Sequence, residues 1–150
     1  MRLPYTMWMG IFGGSMRKGK IFTRHDYERL WSIITSREAV SGIEAGTVNT
    51  LKRDLEHSRL VEPEDIRPNI VTMNSKFSLK NLGNGKKDIY SLVFPRDNTE
   101  KNQINVLSGL GTQILGSPVG TVIKTSPAGE QYYIIDDIVY QPEAAGDYNL

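Results

Sequence analysis

Two carboxylates, Glu38 and Glu44, stand on either side of the predicted connection between two short helices, where acidic side chains can reach a metal ion held by another molecule. By residue type alone, acids at a loop are solvated; these two have chemistry only if their tip is delivered to such an ion. No other pattern assembles a catalytic centre. His25 and His57 are isolated on predicted helices, and neither has a serine or carboxylate constellation at a useful spacing. Both read as solvated helix residues, and two separate histidines are weak grounds for a zinc site. Asp136 and Asp137 are adjacent on a predicted strand, so they point to opposite faces and cannot share a metal ion without a bulge. The glycines of residues 10–14 lack the lysine spacing of a phosphate loop, and those of 109–116 lack the dinucleotide spacing. The second group suits a tight start and end of a short helix. The chain has no cysteine, which excludes disulfides, thiolate metal sites and cysteine nucleophiles and suits a reducing cytoplasm. The sequence therefore predicts no catalytic residue, cofactor, bound metal or small-molecule substrate.

The Glu38–Glu44 tip needs helices to carry it. Tyr27, Leu30, Trp31 and Ile34 fall at i, i+3, i+4 and i+7, one apolar stripe of a helix. Thr23 can cap its first turn, with Asp26 three residues on in a capping-box-like position. The pattern fades at Thr35 and Ser36, and a hinge of small residues follows, including Ser41, Gly42, Ala45 and Gly46. Val48, Leu51 and Leu55 form a second stripe that ends near Leu60 and Val61, before Pro63. Helices this short are not stable alone. Joined by a brief loop, they can cover each other's stripes as an antiparallel helical hairpin, a short coiled coil over residues 20–62. Trp31 and the leucines read as packing residues.

Residues 62–68 hold two prolines and four charges and read as a linker. Beyond it the periodicity becomes strand-like. Residues 70–73 and 76–82 predict a first ribbon, with Phe77, Leu79 and Asn81 on one face. Asn84–Gly85 is the strongest hairpin signal, and residues 88–94 return as a strand. After a polar loop, residues 104–107 are extended, and residues 108–115 predict a short helix capped by Ser108 and closed by Gly116. Residues 121–125 and 131–140 form a last hairpin across a turn at 127–130. The fold class is α+β: a helical hairpin, then an antiparallel sheet with one short helix over residues 69–150.

Composition supports a folded chain, since 39% apolar and 23% charged residues are globular values. Eighteen basic and seventeen acidic residues leave +1, which argues against a nucleic-acid-coating protein, although a basic run remains at residues 17–20. The apolar stretch near Met1 contains Pro4 and Gly10 and is far shorter than the ~20 residues that cross a bilayer, so no membrane association is expected. Residues 1–19 read as an N-terminal extension, with Met16 as the expected start and the preceding residues poorly ordered or docked without specificity.

The order of these elements resembles the Gre factors, the GreA/GreB transcription elongation factor family, which couple an antiparallel coiled coil to an FKBP-like globular domain. The residues that carry the resemblance are 71–75 at the start of the sheet, 104–111 followed by 112–116, and the ending at 140–148. Within the family the chain is similar to the short-coil branch, the regulators of nucleoside diphosphate kinase. Gly109 stands where the family usually has proline, which implies a less rigid loop. The resemblance is strong over residues 70–150, weaker over 20–68, and does not extend to the first fifteen.

The family implies docking at the secondary channel of bacterial RNA polymerase, with the coil pointing inward and nucleic acid of the elongation complex near it only indirectly. Carried over by position, Asn105, Val106, Leu107, Ser108 and Gly109 are the candidate contacts with the channel rim. Cleaving members bring acidic residues at a long coil tip to the active-site magnesium. Here a helix of about fourteen residues spans about 21 Å, and Glu38 and Glu44 do not reproduce the acidic tip motif. The expected function is a cytoplasmic, non-catalytic regulator that binds polymerase, competes with longer Gre factors and leaves the transcript uncut. One alternative is direct binding to nucleoside diphosphate kinase. The other, a peptidyl-prolyl isomerase, needs a tryptophan-floored pocket, yet Trp8 and Trp31 both precede the β-region.

Overall fold

The computed structural model describes residues 19–125 and 130–150. Most of the expected N-terminal extension, Trp8 and the tip of the expected 127–130 turn therefore lie outside the described residues. The first described element is a three-residue strand, β1 (Ile21–Thr23), which leads directly into helix α1 (Arg24–Ile34). Thr23 is the N-cap, as its position predicts, and its Oγ1 accepts the Asp26 N–H at 3.0 Å. Helix α2 (Ala45–Glu56) returns and is followed by β2 (Arg59–Val61), which pairs in parallel with β1. Leu30 and Ile34 of α1 are buried, as are Leu51 and Leu55 of α2. Tyr27 and Trp31 flank that seam half-buried, their rings edge to face at 6.1 Å.

The second unit is a five-stranded sheet in the order β5-β4-β3-β7-β6, built from β3 (Lys76–Asn81), β4 (Lys87–Val93), β5 (Gln103–Asn105), β6 (Val122–Thr125) and β7 (Gln131–Tyr140). A short helix, α3 (Gly109–Ile114), packs against β5, β6 and α2. The architecture is the expected α+β one, with a departure at one edge. Strand β5 runs parallel to β4, so the sheet is mixed where the sequence predicts a wholly antiparallel one. The β3–β4 turn contains Asn84 and Gly85 as anticipated, and Gly85 has φ +76°, a conformation that needs no Cβ. Among the described residues no helix is long and apolar enough to cross a membrane.

Residues 70–73 do not form the expected strand. Only an isolated bridge joins Ile70 to Pro118, and the chain then turns, with Ser75 N donating to Thr72 O at 3.1 Å and Asn74 at φ +68°. Asparagine tolerates this left-handed conformation where a β-branched residue would be strained. The register between β3 and β7 shifts twice, and one shift leaves Asp136 opposite no residue of β3. The Asp136–Asp137 pair therefore does sit at a bulge, and Asp136 is spent on Lys87 at 3.0 Å.

One hydrophobic cluster runs through both units, from Leu30, Leu51 and Leu55 to Phe77, Leu92, Ile123 and Ile135. Each such side chain contributes about 1.5–3 kcal/mol on burial, which helices of eleven and twelve residues require to persist. The opposite face of the sheet is open, with Ile89, Val122 and Tyr132 exposed.

Asp26 joins the units. The sequence reads it as part of a capping box, but its carboxylate is buried and reaches across to the sheet side. Oδ2 accepts the Met73 N–H at 3.0 Å, and Oδ1 accepts from Arg29 at 2.8 Å. The Arg29 guanidinium also lies over the Phe94 ring, 4.6 Å from its centroid. Asp26→Ala leaves the Met73 N–H buried without a partner and should lower stability by about 2–3 kcal/mol. Urea unfolding checks this: the midpoint should fall at constant slope, and a loss below about 0.5 kcal/mol would contradict the assigned role.

Candidate functional site

The candidate loop starts where β5 ends. Asn105 is half-buried, and its Oδ1 accepts the Leu107 N–H at 2.8 Å. Val106 N donates to Val93 O at 2.9 Å, which continues the pairing one residue past the strand. Ser108 then turns the chain into α3. Its Oγ donates to Asn105 O at 2.7 Å and accepts the Gly111 N–H at 2.9 Å, the cap that the sequence predicts. The five residues are thus brought together as one short, internally bonded turn. Val106 and Leu107 point inward and are buried in the core, so the loop offers Asn105, Ser108 and the exposed Gly109 to a partner.

One neighbour was not anticipated. Gln113, one turn beyond Gly109 on α3, clips the helix to β6: its Nε2 donates to Gly109 O at 3.2 Å and to Lys124 O at 3.0 Å, and its Oε1 accepts from Lys124 N at 3.2 Å. Spacing alone places Gln113 on the Gly109 face, but the bond to β6 depends on the tertiary fold. Gly111 permits the tight turn, since a Cβ there would lie 2.2 Å from Asn105 O.

Glu38 and Glu44 are both exposed at the hairpin tip. Glu44 is the N-cap of α2 but makes no side-chain capping bond, so its carboxylate is directed to solvent. His57 is exposed, with Nδ1 2.9 Å from Arg53 O, as a helix residue in water would be. His25 departs from that expectation: it is half-buried beside α1, and its Nε2 is covered without a hydrogen-bond partner. No group of three metal-ligating side chains is present among the described residues.

The perturbed carboxyls lie away from the tip and the loop. Burial holds Asp26 above the ordinary carboxylate range, opposed by the Met73 N–H and by Arg29. Burial also raises Glu143, opposed by the Thr72 hydroxyl that donates to it at 2.7 Å. Both groups face protein neighbours, which suits a structural role.

Gly109 is the first residue of α3, has open space where a Cβ would stand, and follows Ser108 at φ −115° and ψ 162°. Those angles satisfy the restriction on a residue preceding proline, and the first helical position is where proline is best tolerated. Gly109→Pro should therefore stabilise the protein by about 0.5–1 kcal/mol, whereas Gly111→Ala should destabilise it through the clash with Asn105 O. Thermal unfolding of the two variants tests the turn: a destabilised Gly109→Pro would mean that the loop is not pre-formed.

The family profile for the transcription elongation factor GreA/GreB C-terminal domain matches residues 66–140, which include the loop and α3. The chain is 34% identical over 128 residues to the regulator of nucleoside diphosphate kinase of Escherichia coli strain K12, covering 83% of this chain and 92% of that protein. It is 34% identical over 92 residues to the transcription elongation factor GreA of Syntrophomonas wolfei, covering 60% of this chain and 58% of that one. Among solved structures, a GreA/GreB elongation factor from Nitrosomonas europaea shares the fold, with TM-score 0.70, 24% identity, 83% of this chain covered and 100% of that one. A profile spanning half of the sequence and a relative matched along nearly its whole length show that this chain belongs to the GreA/GreB family of transcription factors, where it is a homologue of the regulator of nucleoside diphosphate kinase.

Proposed function

We propose that this protein is a cytoplasmic, non-catalytic regulator that docks at the secondary channel of bacterial RNA polymerase and competes there with longer Gre factors without stimulating transcript cleavage. Asn105, Ser108 and Gly109 present the rim contact, while Val106 and Leu107 hold the turn from inside. An effect on nucleoside diphosphate kinase levels then follows from transcription.

The observation that carries this reading is the length of the hairpin. Helices α1 and α2 have eleven and twelve residues, so they reach about 17 and 18 Å at 1.5 Å per residue. Metal assistance acts at contact range: a carboxylate helps a magnesium ion only when its oxygen approaches to about 2.0–2.1 Å. A tip that stops short of the polymerase centre supplies no coordination, whatever acids it carries. Occupying the channel requires only the docking turn and the bulk of the hairpin.

A second reading is supported by the printed name of the 34%-identical relative: a direct complex with nucleoside diphosphate kinase. Pull-down with purified polymerase and purified kinase separates the two, and retention on the kinase alone would overturn polymerase docking.

A stalled elongation complex tests the cleavage claim. The transcript 3′ end should stay at full length after addition of this protein. A molar excess should also slow the shortening driven by a cleaving Gre factor. Rapid shortening by this protein alone would reject the proposal.

A further inference from the structure

Lys20 lies where the base of the hairpin meets the carboxyl end of α3. Its Nζ donates to three carbonyls at the end of α3: Thr112 O at 2.7 Å, Gln113 O at 3.0 Å and Leu115 O at 2.7 Å. The same ammonium is 3.7 Å from Asp54 Oδ2 on α2. Its backbone carbonyl accepts the Arg59 N–H of β2 at 3.0 Å, and the next residue, Ile21, donates to Gly116 O at 3.4 Å. Gly116 itself has φ +76° and presses on this segment, since a Cβ there would stand 2.9 Å from the Phe22 ring and 3.3 Å from Lys20 Cβ. Both helices of the hairpin, through β1 and through Asp54, therefore converge on the carboxyl end of α3.

The opposite end of α3 is the docking turn. The last carbonyls of any helix lack intrahelical partners and carry partial negative charge, so a cation is favoured there. A six-residue helix is too short to persist without help and depends on both of its caps, Ser108 at one end and Lys20 at the other. It is also stiff and only about 9 Å long, so fixing one end fixes the other.

We infer that Lys20 is a positioning residue: its ammonium fixes the direction of the helical hairpin relative to the 105–109 turn, so that docking of the turn aims the hairpin. The consequence for polymerase rests on the docking reading above; the geometric claim does not. A lysine that merely caps a helix would change thermal stability and leave the angle between the two units alone.

Because the chain has no cysteine, Ala39→Cys at the hairpin tip and Asp137→Cys on β7, both exposed positions, allow specific spin labelling of the free protein. The parent should give one narrow distance distribution. Lys20→Met, which keeps the stem and loses the donors, should at least double its width at a temperature where circular dichroism shows a folded protein. Lys20→Arg should restore the narrow distribution. Asp54→Asn removes the charge that draws Lys20 to α2 and should also broaden it, which keeps the test usable should Lys20→Met fail to fold. Parent-like widths in Lys20→Met, or in Asp54→Asn where only that variant folds, would overturn the proposal. Competition for polymerase is then measured with the same proteins, and Lys20→Met should compete roughly tenfold more weakly. A parent that does not bind polymerase rejects docking while the distances still decide the role of Lys20. Full competition by Lys20→Met rejects the aiming consequence.

Discussion

Asp26 takes an ionisable group from the first turn of α1 into the seam between helices and sheet, where a carboxylate must find partners that replace water. It finds the Met73 N–H and Arg29. That requirement places the 72–75 turn against the base of the hairpin, and Arg29 extends the constraint to Phe94 at the end of β4. The hydrophobic cluster can then continue from Leu30 to Phe77 without an intervening layer of water. Desolvation offsets most of what these bonds gain, and removal of Asp26 is costly because it leaves the Met73 N–H unpaired. The effect of Asp26 is on registration, because an apolar seam alone allows the helices to slide, whereas a directional bond to one named amide does not.

A division of labour follows. The sheet and α3 present a compact turn whose exposed atoms belong to Asn105, Ser108 and Gly109, and whose buried neighbours hold it in shape. The hairpin adds a short projection ending in the solvated carboxylates Glu38 and Glu44. The covered carboxyls, Asp26 and Glu143, are committed to Met73, Arg29 and Thr72. On the docking proposed above, its effect on transcription comes from where it sits and how its two units are angled.

Local chemistry was legible in the sequence wherever one or two adjacent residues decide a conformation. Thr23 and Ser108 cap the helices they precede, and Asn84–Gly85 marks the β3–β4 turn. The apolar stripes of both helices point where their spacing places them. What escaped depends on contacts distant along the chain. Asp26 has the sequence context of a capping box, and only the fold supplies Met73, forty-seven residues away, as its partner. The run of residues 70–73 looks strand-like, yet Asn74 must turn the backbone to pair with Leu92. The parallel course of β5 follows from the path of the preceding loop, which no periodicity encodes. The candidate turn was named from the family resemblance alone, and the inward direction of Val106 and Leu107 was not legible in it.

The outer strands of the sheet have a consequence for behaviour in concentrated solution. Strand β5 has three residues and β6 has four, so each margin offers only a short row of unpaired amides and carbonyls to another copy. Stubs of that length are poor templates for intermolecular strand addition. The chain thus leaves Ile89, Val122 and Tyr132 uncovered while giving another copy little edge backbone to pair with.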